Sequence, residues 1–172
     1  MRVISGEFGG RRLQAPEGLA TRPTTDKVRQ AVFNSLGHFG VIEGAVVADL
    51  YAGSGALGIE ALSRGAERCV FVERDRSALL ALRANIAAFG LADRTTVVSS
   101  DVLAWVVAMR GIDVAFIDPP YAFDAWERLL GVVDATTVVA ESGTEVSAPT
   151  GWAVIRAKRY GRTWVTVLER VA

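Results

Sequence analysis

A pentad apolar but for one carboxylate, Val46-Val47-Ala48-Asp49-Leu50, runs directly into Tyr51-Ala52-Gly53-Ser54-Gly55-Ala56-Leu57-Gly58, and few folds accommodate that join. The pentad has the length and β-branched content of a buried strand. Gly53, Gly55 and Gly58 then allow a tight turn, a close ligand approach and close helix–strand packing. Ile59 to Arg64 continues as a helix that Gly65 can end. A strand, glycine turn and helix in this order belong to an open α/β sheet.

The rhythm repeats downstream. Strands are expected at Cys69–Val72, Thr95–Val98, Val114–Ile117 and Thr136–Ala140. Between them fall a helix carrying Leu79, Leu82 and Ile86 that stops at Gly90, one over Val102–Met109, and one over 123–131. Such alternation predicts a parallel sheet covered on both faces. Trp152–Lys158 and Thr163–Glu169 flank Tyr160-Gly161 with no room for a helix, so they close the sheet as an antiparallel hairpin, bringing the strands to seven. Upstream, Arg2-Val3-Ile4 and Arg12-Leu13-Gln14 read as short strands around a glycine-rich turn. Val28, Val32, Phe33 and Leu36 mark an amphipathic helix begun by Thr24 or Thr25 and ending near Gly37. The chain thus divides into an N-terminal hairpin-and-helix extension, 1–40, and a main α/β domain, 41–172.

The apolar run Val114–Ile117 ends on Asp118-Pro119-Pro120-Tyr121, since two prolines cannot continue a central strand. The carboxylate therefore sits at the C-terminal edge of the sheet, where open α/β folds bind ligands. Ionised Asp118 only accepts hydrogen bonds. Pro119 and Pro120 lack N–H groups and present carbonyls on a fixed backbone. Tyr121 offers a stacking face. Two acceptors and a flat surface are what an exocyclic amino group on a heteroaromatic ring needs. Asp-Pro is also ordinary turn chemistry, so the rest of the chain must decide.

Glycine spacing alone suits a dinucleotide such as NAD. Three carboxylates point instead to S-adenosylmethionine. Asp49, within the first strand, would repel a pyrophosphate but suits a ligand carrying an ammonium and a sulfonium. Glu73, closing strand two, suits two ribose hydroxyls, and Asp101, after strand three, suits an adenine amino group. Each acid could equally cap the next helix, Asp101 most simply. The expected cofactor-binding set is Asp49, Tyr51, Gly53, Ser54, Gly55, Gly58, Glu73 and Asp101. No metal is expected.

With 172 residues, half of them apolar, the chain suits one soluble domain. No apolar run approaches the roughly 20 residues of a membrane span, and the first residues lack a signal peptide's apolar core, so a cytoplasmic protein is expected. Cys69 is the only cysteine and reads as a buried hydrophobe. His38 is the only histidine and reads as capping or solvated. Net charge is zero, yet residues 1–30 carry six basic and three acidic residues and the remainder 13 basic and 16 acidic. A basic arm on a mildly acidic body hints at a polyanionic partner.

Asp49 through Gly65, the Asp118–Tyr121 box and the upstream Arg22-Pro23-Thr24-Thr25-Asp26-Lys27-Val28-Arg29 closely resemble the RsmD family of bacterial 16S rRNA methyltransferases. The likeness runs from Gly6 to Leu168, loosening only between Glu141 and Trp152. It implies a class I, Rossmann-like methyltransferase sheet with its C-terminal antiparallel hairpin. It implies methyl transfer from S-adenosylmethionine to the N2 amino group of a guanine in 16S rRNA or a small ribosomal subunit particle; a monomer is expected. Asp118, Pro119, Pro120 and Tyr121 would hold the base, and Arg11, Arg12, Arg22, Lys27 and Arg29 would grip phosphates. An adenine-N6 or protein-glutamine methyltransferase shares these motifs in related form. A nicotinamide-binding oxidoreductase or a non-catalytic nucleotide-binding module shares the glycine turn.

Overall fold

The computed structural model describes residues 1–18 and 25–171. Seven strands form one sheet: β1 (Val46–Leu50), β2 (Arg68–Glu73), β3 (Thr95–Ser99), β4 (Ile112–Ile117), β5 (Ala135–Ser142), β6 (Trp152–Tyr160) and β7 (Thr163–Arg170). Their spatial order is β3-β2-β1-β4-β5-β7-β6, the first five parallel and β7 inserted antiparallel between β5 and β6. This is the expected class I methyltransferase sheet. Helices α1 (Asp26–Phe39), α2 (Ala56–Ser63), α3 (Arg76–Phe89), α4 (Val102–Trp105) and α5 (Trp126–Val132) cover it. The inner strands are buried on both faces, and the sheet's apolar side chains form two cores, one on each face.

Two helices differ from expectation. Residues 102–109 form only a four-residue α-helix followed by a 3-10 turn, Val106–Ala108. The helix expected from 123 begins at Trp126, because the Phe123 N–H donates to the Pro120 carbonyl (2.9 Å) and closes a turn first. Helix α1 runs past Gly37 to Phe39, where Gly40 caps it at φ 67°. Cys69 is buried as read, and His38 is exposed in the last turn of α1.

The two N-terminal strands shrink to a single bridge, Arg2 with Arg12. Their neighbours' N–H groups are taken elsewhere. The buried Glu60 carboxylate of α2 accepts from Ile4 N–H (2.7 Å) and Ser5 N–H (3.1 Å). Ser63 Oγ accepts from Phe8 N–H (2.9 Å) and donates to the Ser5 carbonyl (2.6 Å). Gly6, at φ 83°, lies so close to α2 that a Cβ there would stand 1.9 Å from the Ser63 carbonyl oxygen. The extension is therefore fastened to α2 by these two side chains and by one backbone bond, from the Glu7 N–H to the Ser63 carbonyl (2.8 Å). Val3, Phe8 and Leu13, with Val32, Phe33 and Leu36 of α1, belong to the same core as Phe71, Phe116 and Val167 of the sheet. The Phe33 and Phe116 rings meet at a tilt of 38°, their centres 5.3 Å apart.

Candidate active site

β1 and β4 are neighbours, paired in parallel with Leu50 opposite Ile117. The Asp118 N–H donates to the Leu50 carbonyl (3.4 Å), so the proline box and the glycine turn leave the sheet side by side at one edge. The connections from β1 and β4 depart in opposite directions across the sheet, which is where open α/β folds place their ligands. Tyr51 follows β1 at φ 65°, the only non-glycine among the described residues with positive φ, an uncommon conformation. Its ring meets Phe123 edge-on at 5.7 Å, and Phe123 meets Trp126 at 5.2 Å. These aromatic contacts tie the segment after the proline box to the start of the glycine turn.

The turn itself is built from beneath. Asp49 is buried, and its Oδ2 accepts from the Gly58 N–H (2.8 Å), tying the end of β1 to the first turn of α2. Burial pushes the Asp49 carboxyl well above the usual range; the Gly58 bond opposes this, and the nearby Asp118 and Glu73 charges add to it. The sequence reading assigns Asp49 to a ligand carrying positive charge; in the structure its carboxylate also organises the turn. A Cβ at Gly58 would stand 2.3 Å from the Phe71 ring, which fits the predicted close packing of helix on strand. A Cβ at Gly53, by contrast, would meet nothing within 4 Å, leaving the turn open on that side. Ser54 is buried and its carbonyl accepts from Asn85 Nδ2 (2.9 Å). The same Asn85 side chain bonds both backbone groups of Gln14. Asn85 thus joins α3, the extension and the turn, a role with no signal in the sequence.

Glu73 accepts three backbone N–H groups, from Gly53 (2.9 Å), Arg74 (2.8 Å) and Asp75 (2.8 Å). A carboxylate has about four acceptor sites, so it is held rigidly with capacity for a hydroxyl beside Gly53. Asp101 performs the capping role, accepting from Ala104 N–H (3.2 Å) at the start of α4, and also pairs with Arg74 (3.1 Å) while remaining partly exposed. The Tyr51 hydroxyl is pushed up to about 12, by burial first and then by Asp101, with Arg74 opposing. Tyr51 and Asp101 therefore border the same end of the sheet.

Asp118 and Pro119 are half-buried at this edge. The Pro120 carbonyl is used by Phe123, whereas the Pro119 carbonyl takes no backbone hydrogen bond among the described residues. Tyr121 is 63% exposed, its ring beside Gly143, where a Cβ would stand 3.5 Å from it. The loop after β5, left without a role by the sequence, thus flanks this tyrosine.

The expected phosphate contacts fare unevenly. Arg12 and Lys27 are exposed. Arg11 is exposed too, but its guanidinium lies 4.2 Å from the Phe89 ring centre and donates to the Ala88 carbonyl (2.6 Å). Arg22 lies outside the described residues. Arg29 must be corrected: it is fully buried, bonded to Asp26 (2.7 Å) and the Arg2 carbonyl, with Glu60 and Glu141 close by. Its burial lowers its pKa, and it anchors α1 rather than reaching solvent. Two open depressions of about 460 and 320 Å³ lie at the opposite, N-terminal edge of the sheet, beside Asp134 and Asp113, away from all these residues.

Known proteins share this outline. A family model described as "Conserved hypothetical protein 95" matches residues 1–169. The chain is 38% identical to the "Putative rRNA methyltransferase YlbH" of Bacillus subtilis, covering 99% of each. It is 34% identical to the "Ribosomal RNA small subunit methyltransferase D" of Escherichia coli K12, covering 100% of this chain and 91% of that one. Among solved structures, a "Putative methyltransferase yhhF" from Escherichia coli superposes with a TM-score of 0.86 at 34% identity, covering 100% of this chain and 98% of that one.

Proposed function

The chain belongs to the RsmD family of methyltransferases, and we propose that it transfers a methyl group to the exocyclic N2 of a guanine in small-subunit ribosomal RNA. The observation that carries this reading is the Asp118 N–H bond to Leu50, which sets an amino-group acceptor box beside an open glycine turn. S-adenosylmethionine, when bound, supplies an electrophilic methyl carbon on a sulfonium. The residues present suit it: Gly53 leaves space for close approach, and Glu73 is fixed as an acceptor for the ribose. Asp101 keeps an exposed carboxylate near Tyr51 for the adenine amino group.

The chain's own part is to prepare the acceptor nitrogen. A guanine amino lone pair is delocalised into the ring and attacks poorly. Asp118 and the Pro119 carbonyl accept its two hydrogens and hold the nitrogen with its lone pair turned toward the glycine turn. Tyr121 stacks on the base. Positioning of this kind lowers a barrier by several kcal/mol without a strong base, and Asp118 can take the proton afterwards. The base must be unpaired or turned out of its helix, because its amino edge is otherwise engaged. Arg12 and Lys27, with Arg22, hold the surrounding phosphates. A partly assembled small-subunit particle in the cytoplasm is the proposed substrate.

The test is methylation of small subunits from a strain lacking this activity, using labelled cofactor and nucleoside analysis. Label in N2-methylguanosine is expected. Label in N6-methyladenosine or in protein glutamine would replace the reading with the corresponding rival. Calorimetry should show S-adenosylhomocysteine binding and no NAD binding.

A further inference from the structure

The β6–β7 hairpin carries Arg156, Lys158, Arg159 and Arg162 and no carboxylate between Trp152 and Trp164, in a chain whose net charge is zero. We propose that this hairpin is a second phosphate-binding surface, gripping the RNA strand that flanks the target base. This rests on the rRNA reading above and deepens it.

Topology brings the hairpin to the candidate active site. β7 runs antiparallel to β5 with Trp164 opposite Ser142, and β6 pairs Tyr160 with Thr163. The Gly161-Arg162 turn therefore rises at the edge where β5 ends, and Gly143, just after β5, lies beside Tyr121. Residues directly opposite one another in an antiparallel pair share a face. Arg156 faces with Val167 and Lys158 with Val165, so both lie on the side of α1, whose first turn carries the exposed Lys27. Lys158 Nζ stands 5.3 Å from the Tyr160 ring centre. Arg159, opposite Trp164, covers the other face, and its Nε is bonded to the Gly161 carbonyl (2.9 Å). All four cations are exposed.

Charges on an edge strand also guard against pairing with another chain, and β6 is such an edge. Lysine is the usual guard of an edge, whereas three of these four cations are arginines. A single sign, next to the groove that holds the base, is what a polyanion requires.

The test compares wild type with the triple variant Arg156→Gln, Lys158→Gln, Arg162→Gln, which leaves the Arg159 turn bond intact. Both are titrated with a 16S rRNA transcript across a salt series. Melting temperature and S-adenosylhomocysteine affinity, expected unchanged, verify folding. The variant should bind RNA about tenfold more weakly. The slope of log affinity against log salt should fall by about 2, since each phosphate no longer neutralised on a single strand removes roughly 0.7. The charge-keeping variant Arg156→Lys, Lys158→Arg, Arg162→Lys should keep the slope. An unchanged slope and affinity, or self-association of the glutamine variant without weaker RNA binding, overturns the hairpin's role even if wild type methylates rRNA. A reduced slope in a protein that methylates no guanine overturns the proposed function and leaves the hairpin's role standing.

Discussion

Asp118 and Asp49 lie close together at one sheet edge but differ in burial. Asp118 is half-buried at the site; replacing it with alanine should lower the methylation rate about 100-fold or more while S-adenosylhomocysteine binds as before, since positioning and not cofactor affinity is removed. An unchanged rate at saturating cofactor would exclude it from the mechanism. Asp49 is buried against Gly58, and its carboxyl is raised. A carboxyl raised by folding binds its proton more tightly in the native state, so its contribution to stability is lost as pH rises from the ordinary carboxylate range through the native pKa. Asp49→Asn keeps an acceptor for the Gly58 N–H and removes that penalty. Its melting temperature should match or exceed wild type at pH 8, the gap closing toward pH 4. A gap that widens on acidification would contradict the assignment.

Helix α2 is the element on which two parts of the molecule converge. Its first turn receives Asp49 through Gly58, and its buried Glu60 and Ser63 receive the extension. Ser63→Ala leaves the Phe8 N–H buried without that partner and should cost about 1–3 kcal/mol in denaturant unfolding. A loss below about 0.5 kcal/mol would mean that the extension is held by its apolar side chains alone. The elements were largely legible from the sequence. Strand and helix periods, glycine caps and the double proline located the five parallel strands and α1 to α3, with ends such as the start of β4 at Ile112 and of α2 at Ala56 falling two or three residues earlier than read. Residues 102–109 and 123–125 were not, because a 3-10 turn and the Pro120–Phe123 bond are too local for an apolar pattern to reveal.

Across the whole molecule, the extension and the sheet share one core. Phe33 of α1 is fully buried against Phe116 of β4. Phe33→Ala should therefore cost about 3–5 kcal/mol and lower the melting temperature of the whole chain in a single transition. The chain shortened to residues 41–172 would expose Phe116, Val139 and Val167 and should be insoluble. A soluble, cofactor-binding 41–172 would instead make the extension a true appendage.

The strand–turn–helix order, the glycine turn and the placing of Asp118 at a strand's end follow from the residues read in line. Each is written in near neighbours through period, backbone freedom and the missing N–H of proline. Which distant groups meet was settled by packing alone. Packing sent Arg29 inward to Asp26 and Asp49 beneath the turn, joined Glu60 to the Ile4 and Ser5 amides, and seated β7 between β5 and β6 so that the turn of a basic hairpin lies at the sheet edge where β5 ends. Burial and pairing across many residues of chain depend on how whole elements pack, and no local pattern of residues carries that information.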